Sequence, residues 1–216
     1  MAITAQEPMT EVKALLNDPD GNIYPDARVI PFMQKAYREL QTKMMLNGLP
    51  VLKESSVDIP VAAGTLLLGD GSGLPTDFIY PIELHERVSG STDRYEEMKE
   101  LAWEGDYIPS DRLLYWNWRE EEVKFAGATT PREVRIRYMK GLARITGVGS
   151  NIAVNNAVSF LATRTASLAA RFLGSNPTRA DALDGDAGMA LSDLLGILVK
   201  RDQGLGIRRR VNRYRR

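Results

Sequence analysis

The apolar residues of this chain recur with a helical period at both ends and a strand period in the middle, and few folds accommodate that order. Between residues 26 and 47, Val29, Met33, Ala36, Tyr37, Leu40 and Met44 fall on one stripe, while Lys35, Arg38, Glu39, Gln41 and Lys43 fill the opposite face. This reads as a long amphipathic helix ended by Gly48 and Pro50. Pro31 lacks the N–H of an interior turn and predicts a bend or a start beside it. A shorter helix over residues 9–16, with Thr10 as a candidate cap, ends in the turn cluster Asn17-Asp18-Pro19-Asp20-Gly21-Asn22.

From about residue 51 to 141 the period drops to two. Val57, Ile59 and Val61 alternate with polar or small residues, and residues 79–87 read as a strand. Residues 113–118 and 122–125, joined by a charged turn, predict a hairpin. Val134, Ile136 and Tyr138 alternate with Arg135 and Arg137. Helical spacing then returns: Val154, Val158, Leu161, Thr165, Leu168 and Phe172 lie in an Ala-rich stretch stopped by Gly174. Leu183, Ala187, Ala190, Leu191, Leu194 and Leu198 follow behind Asn176-Pro177, a cap with proline at the first helical position.

The expected fold class is α+β, mainly α: a helical bundle with an inserted small antiparallel β region and an extended C-terminal arm. The body is placed at residues 1–201, with helices within 9–47 and 153–201 and the β insertion at about 51–141. The arm is placed at residues 202–216.

A chain of 216 residues buries enough surface to fold without a staple, and cysteine is absent. That excludes disulfide frameworks, thiol catalysis and cysteine-based zinc sites, and a single histidine, His85, excludes His-rich metal sites. With 44% apolar and 26% charged residues the composition is that of an ordinary globular protein. Residues 1–13 lack the basic start and apolar stretch of a secretory leader. The longest uncharged run, residues 145–163, carries Asn151, Asn155 and Asn156 and reads as soluble rather than membrane-spanning.

Motifs that mimic chemistry fail on inspection. Asp18, Asp20 and Asn22 open like a calcium-binding loop, but Ile23 and Val29 stand where glycine and a bidentate Glu are required, so turn and capping roles are expected. Gly69-Asp70-Gly71-Ser72-Gly73 is followed by Leu74-Pro75 instead of Lys-Ser/Thr and reads as a turn. Gly147-Val148-Gly149 lacks a third glycine and a parallel neighbourhood and reads as a hinge. On a strand Glu83 and His85 share one face and Glu86 takes the other; with no nucleophile beside them, surface salt bridging is expected. Trp116 and Trp118 read as core aromatics, since Glu120, Glu121 and Glu122 would repel a nucleic-acid backbone. No catalytic residue, metal ligand or cofactor is nominated.

The zero net charge, 28 acids against 28 bases, conceals an asymmetry. Over the last seventeen positions eight basic residues face Asp202 alone, a net of +7, which leaves −7 for residues 1–199. Arg208, Arg209, Arg210, Arg213, Arg215 and Arg216, with Tyr214 among them, are the candidate contact residues. Arginine forks bind phosphates and carboxylates bidentately. The charge alone leaves open a nucleic-acid backbone or an acidic protein groove.

Several phrases occur in a telling order: Leu16-Asn17-Asp18-Pro19, Ala36-Tyr37-Arg38-Glu39-Leu40-Gln41, Asn47-Gly48-Leu49-Pro50, Leu74-Pro75-Thr76-Asp77-Phe78, Glu86-Arg87, Trp116-Asn117-Trp118 and Ile136-Arg137-Tyr138. Over most of residues 10–200 the chain resembles the head-to-tail adaptor (connector, or head-completion) proteins of tailed bacteriophages. The resemblance implies a structural virion protein and not an enzyme. It implies a twelvefold ring beneath the portal protein that lengthens the DNA channel and offers a landing surface to a tail or nozzle protein. The implied partners are the portal, the tail or nozzle, further copies of the chain and the packaged DNA, with no membrane. The implied location is the head–tail neck, assembled in the bacterial cytoplasm. By the same analogy residues 202–216 are an arm toward the portal, contacting portal carboxylates or DNA. The competing expectation is a nucleic-acid-binding regulator using that arm, with steep salt dependence.

Overall fold

A computed structural model of the chain describes residues 3–68, 73–101 and 108–203, with side chains to residue 199. The elements run β1 (Ile3–Thr4), α1 (Gln6–Leu15), α2 (Asp26–Leu46), β2 (Lys53–Ser55), β3 (Ile59–Val61), β4 (Leu67–Leu68) and β5 (Phe78–Val88). They continue with β6 (Glu96–Glu97), β7 (Lys99–Glu100), β8 (Tyr115–Arg119), β9 (Glu122–Phe125), β10 (Arg132–Lys140), β11 (Asn151–Ile152), α3 (Val158–Phe172) and α4 (Pro177–Gln203). The chain divides into two units, one from residues 1–50 and 143–216 and one from residues 51–142.

With 39% helix and 25% strand, in four helices and three sheets among the described residues, this is a mixed α/β protein and not the mainly helical bundle expected. The reason is physical. Seven of the strands are two or three residues long, too short by themselves to show a period of two, and most of them pair with partners far away in sequence. The 102–107 segment, most of the Gly69–Gly73 turn and residues 204–216, which hold most of the expected arm, lie outside the described residues.

In the first unit α3 packs against α1, α2 and α4. Phe160, Leu161, Ala162 and every residue from Thr165 to Ala170 are buried, because alanine on several faces lets neighbours approach from several sides. Phe172 leaves the expected stripe: it is 60% exposed and stacks on Phe32 at 6.0 Å. Helix α2 buries Val29, Met33, Ala36, Tyr37, Leu40 and Met44 and runs through Pro31. Helix α1 starts earlier than its sequence pattern implied, and Thr10 is no cap; its hydroxyl donates to the Gln6 carbonyl inside the helix at 2.9 Å. The N-terminus of α1 is held instead by β1, which pairs antiparallel with β11. At α4, Asn176 Oδ1 accepts the Arg179 N–H at 3.0 Å, an N-cap satisfying one orphan donor.

The second unit holds a five-stranded sheet ordered β2-β10-β5-β6, with β3 also on β10, and a four-stranded sheet ordered β4-β9-β8-β7. One core joins them, from Leu84, Trp116, Val123, Phe125, Val134 and Ile136. Among the named strands pairing is antiparallel except between β7 and β8. Val57 lies outside β3 and is 83% exposed. Ser56 is buried in its place, with its hydroxyl accepting the Ile136 N–H at 2.9 Å.

The β8–β9 hairpin turns on Glu120 and Glu121, at φ 55° and 63°, the double left-handed geometry that favours Asn-Gly. Each such non-glycine residue costs about 1 kcal/mol or more. Replacing the pair with Asn-Gly is expected to stabilise the protein by about 1 kcal/mol net of the exposed Glu120–Lys124 ion pair, read as a higher urea midpoint at unchanged slope. Among the described residues no helix is long and apolar enough to cross a membrane.

Candidate interaction surfaces

Carboxylates that suggested chemistry are spent on structure. Both oxygens of Asp18 accept backbone N–H groups, from Asn22 at 2.9 Å, Ile23 at 2.9 Å and Tyr24 at 2.7 Å. Three of its roughly four acceptor sites are thereby occupied by the backbone, and among the described residues no group of three or more His, Asp or Glu could hold a metal ion. The Tyr24 N–H above all holds the Asp18 carboxyl below its usual 3.8, against burial, with Ile23, Asn22 and Lys13 adding to the effect. A depressed folded value contributes stability that is present above pH 3.8 and lost as pH falls further. Asp18→Asn is expected to lower the urea midpoint at pH 7 and to flatten the acid limb below pH 4, in a series of melts against pH.

Strand β5 separates Glu83, His85 and Glu86. Glu83 meets Arg137 at the surface at 3.2 Å, and His85 stands opposite Arg135 and Glu97 in the ladder. Glu86 was expected at the surface, but it is buried and takes Arg132 Nε at 2.5 Å, with the two side chains 3% and 7% exposed. These are ion pairs within a sheet, without a nucleophile between them.

The outer face of the same sheet is a closed network. Arg87 pairs with Asp58 at 3.0 Å and Glu133 at 2.8 Å, and Arg135 pairs with Asp58 at 2.7 Å. Both guanidinium groups lie against the Tyr95 ring, at 4.6 and 4.4 Å. Burial first, then the Asp58 carboxylate, pushes the Tyr95 phenol up to about 12, so it stays neutral. The Tyr95 hydroxyl and then Arg135 hold Asp58 below its usual range. The network locks strands together and leaves these cations little capacity for a partner.

The open surface is in the helical unit. A groove of about 490 Å³ has α3 as its floor and α2 and α4 as its walls. Phe160, Ala187 and Leu191 make it apolar inside, and the exposed Lys35, Arg38 and Lys43 of α2 form a basic rim. Arg164 spans the floor. Its Nε and Nη2 donate to Glu39 at 2.6 and 3.1 Å, and its Nη1 donates to Asp184 at 2.5 Å. Glu39 foremost holds the Arg164 guanidinium above its ordinary value. Burial works to raise Asp184, but the Ser167 hydroxyl and the Arg164 and Arg171 guanidiniums outweigh it and keep it an anion. Both acids of the groove are thus neutralised from within, whereas Arg38 and Lys43 have no ion-pair partner among the described residues. The rim residues had read as a solvated face. An arginine in the middle of an alanine-rich helix was the signal for a polar bridge there.

Arg208, Arg209, Arg210, Arg213, Tyr214, Arg215 and Arg216 lie outside the described residues. Their attachment is described: α4 is a 27-residue helix, about 40 Å long, seated along Leu183, Ala187, Leu194 and Leu198 and ending at Gln203. Among known proteins, no family model matches the chain and no curated sequence matches it.

Proposed function

We propose that the chain is a structural virion protein, a head-to-tail adaptor that assembles as a ring under the portal of a tailed bacteriophage, extends the DNA channel and presents the surface on which the tail attaches. The observation that carries the reading is the placement of charge: six arginines within residues 208–216, tethered to a long, packed helix on a body of net charge −7. A cationic segment on a rigid mount is suited to docking on a larger particle, and repetition around a ring multiplies weak contacts through avidity. The resemblance of its ordered short phrases to adaptor proteins supports the same reading.

Deleting residues 204–216, beyond the last described residue, tests it. The truncated chain is expected to keep its circular dichroism and thermal melt and to lose capture by its cognate portal ring in negative-stain images. Full capture by the truncated chain overturns the reading. Loss of a salt-sensitive nucleic-acid complex, with portal capture absent in the intact chain, assigns the arm to a regulator instead.

A further inference from the structure

We propose that α4 of one copy of this chain docks in the basic-rimmed groove of a second copy, head to tail. The occupant is identified by charge and shape. The rim is positive through Lys35, Arg38 and Lys43, while the acids inside the groove are consumed by Arg164. A fitting partner is therefore acidic, helix-sized and apolar at its centre, which rules out the arginine arm. The exposed face of α4 has this chemistry. Asp186, Met189, Asp193 and Gly196 are exposed and recur three or four residues apart, and exposed Gly185, four before Met189, borders the same face of the helix.

Asp186 and Asp193 have no ion-pair partner among the described residues. They stand seven residues apart, about 10.5 Å along the axis, against about 12 Å for the eight residues from Lys35 to Lys43. Met189 lies between them, 63% exposed, in place to reach the apolar floor. A Cβ on Gly185 or Gly196 would meet nothing within 4 Å, so no contact inside the chain calls for glycine there. Glycine is disfavoured in a helix interior, and close approach of another backbone is what it allows. The groove side of α4, with Asp184 and Leu191, is a different face of the helix, so each copy offers both halves of the contact. Such a heterologous contact repeats until it closes or runs on. The pairing stands on the groove and on α4, and only its closure into a ring rests on the adaptor reading.

Sedimentation of the full chain from micromolar to near-millimolar concentration tests it. The wild type is expected to self-associate. Lys35→Glu with Lys43→Glu, and separately Asp186→Lys with Asp193→Lys, are each expected to weaken association about tenfold or more, because like charges then face each other. Mixing the two variants is expected to restore it, since an acidic groove meets a basic helix. Gly185→Leu is expected to raise helix stability while weakening association. A wild type that stays monomeric throughout, charge variants that associate as the wild type does, or a mixture that stays monomeric would each overturn the proposal. None of these results touches the adaptor reading if portal capture persists, and loss of portal capture with association intact sinks only that reading.

Discussion

Arg132→Met is expected to destabilise the protein by about 3–5 kcal/mol, because it strands Glu86 as an uncompensated buried charge. The two side chains are 7% and 3% exposed and meet at 2.5 Å across the β5–β10 ladder. Attraction in this interior offsets a desolvation cost of several kcal/mol per ion only while both partners are present. The double variant Arg132→Met/Glu86→Leu removes both charges and keeps the volume, so it is expected to recover most of the loss. Urea unfolding followed by tryptophan fluorescence reads both, since Trp116 lies in the hydrophobic core of the same unit. A single variant within about 1 kcal/mol of wild type would mean that water already reaches the pair.

Tyr37→Ala is expected to cost about 4 kcal/mol, the loss of a fully buried aromatic and the cavity it leaves. Tyr37 is 1% exposed on α2, and its hydroxyl accepts the Ala153 N–H at 3.0 Å. Tyr37→Phe separates the two contributions: it keeps the packing and orphans a backbone donor, for about 1–2 kcal/mol. Burial pushes the Tyr37 phenol above its usual 10.0. Its stabilising contribution is complete below pH 10 and drains as pH rises through the higher folded value, so the Phe variant loses less stability in alkali. Equal losses for the two variants in urea melts would show that the hydrogen bond, and not the ring, carries the effect.

The helices were legible at the level of faces. The six residues read as the apolar stripe of α2 are the six it buries, because helical geometry sets the spacing before any tertiary contact forms. Strand β10 was equally clear, with Val134, Ile136 and Tyr138 buried beside exposed Arg135 and Arg137. The stripe assigned to α3 was less so. Phe172 is exposed and Phe160 buried, since a helix packed on several sides has no single face to read. Of the short strands only β3 left a trace, in the alternation of Ile59 and Val61, and the mainly helical expectation failed on the others.

Local period and charge sufficed for the helix faces, the capping of α4 by Asn176 and the contrast between acidic body and cationic terminus, because each is set by residues within a few positions of one another. Folding alone brought Glu86 to Arg132 across 46 residues and Arg164 to Glu39 across 125. The same holds for the groove walled by α2 and α4. Whether a charge is buried, paired or free to meet a partner depends on what the distant chain places beside it, and no run of neighbouring letters encodes that.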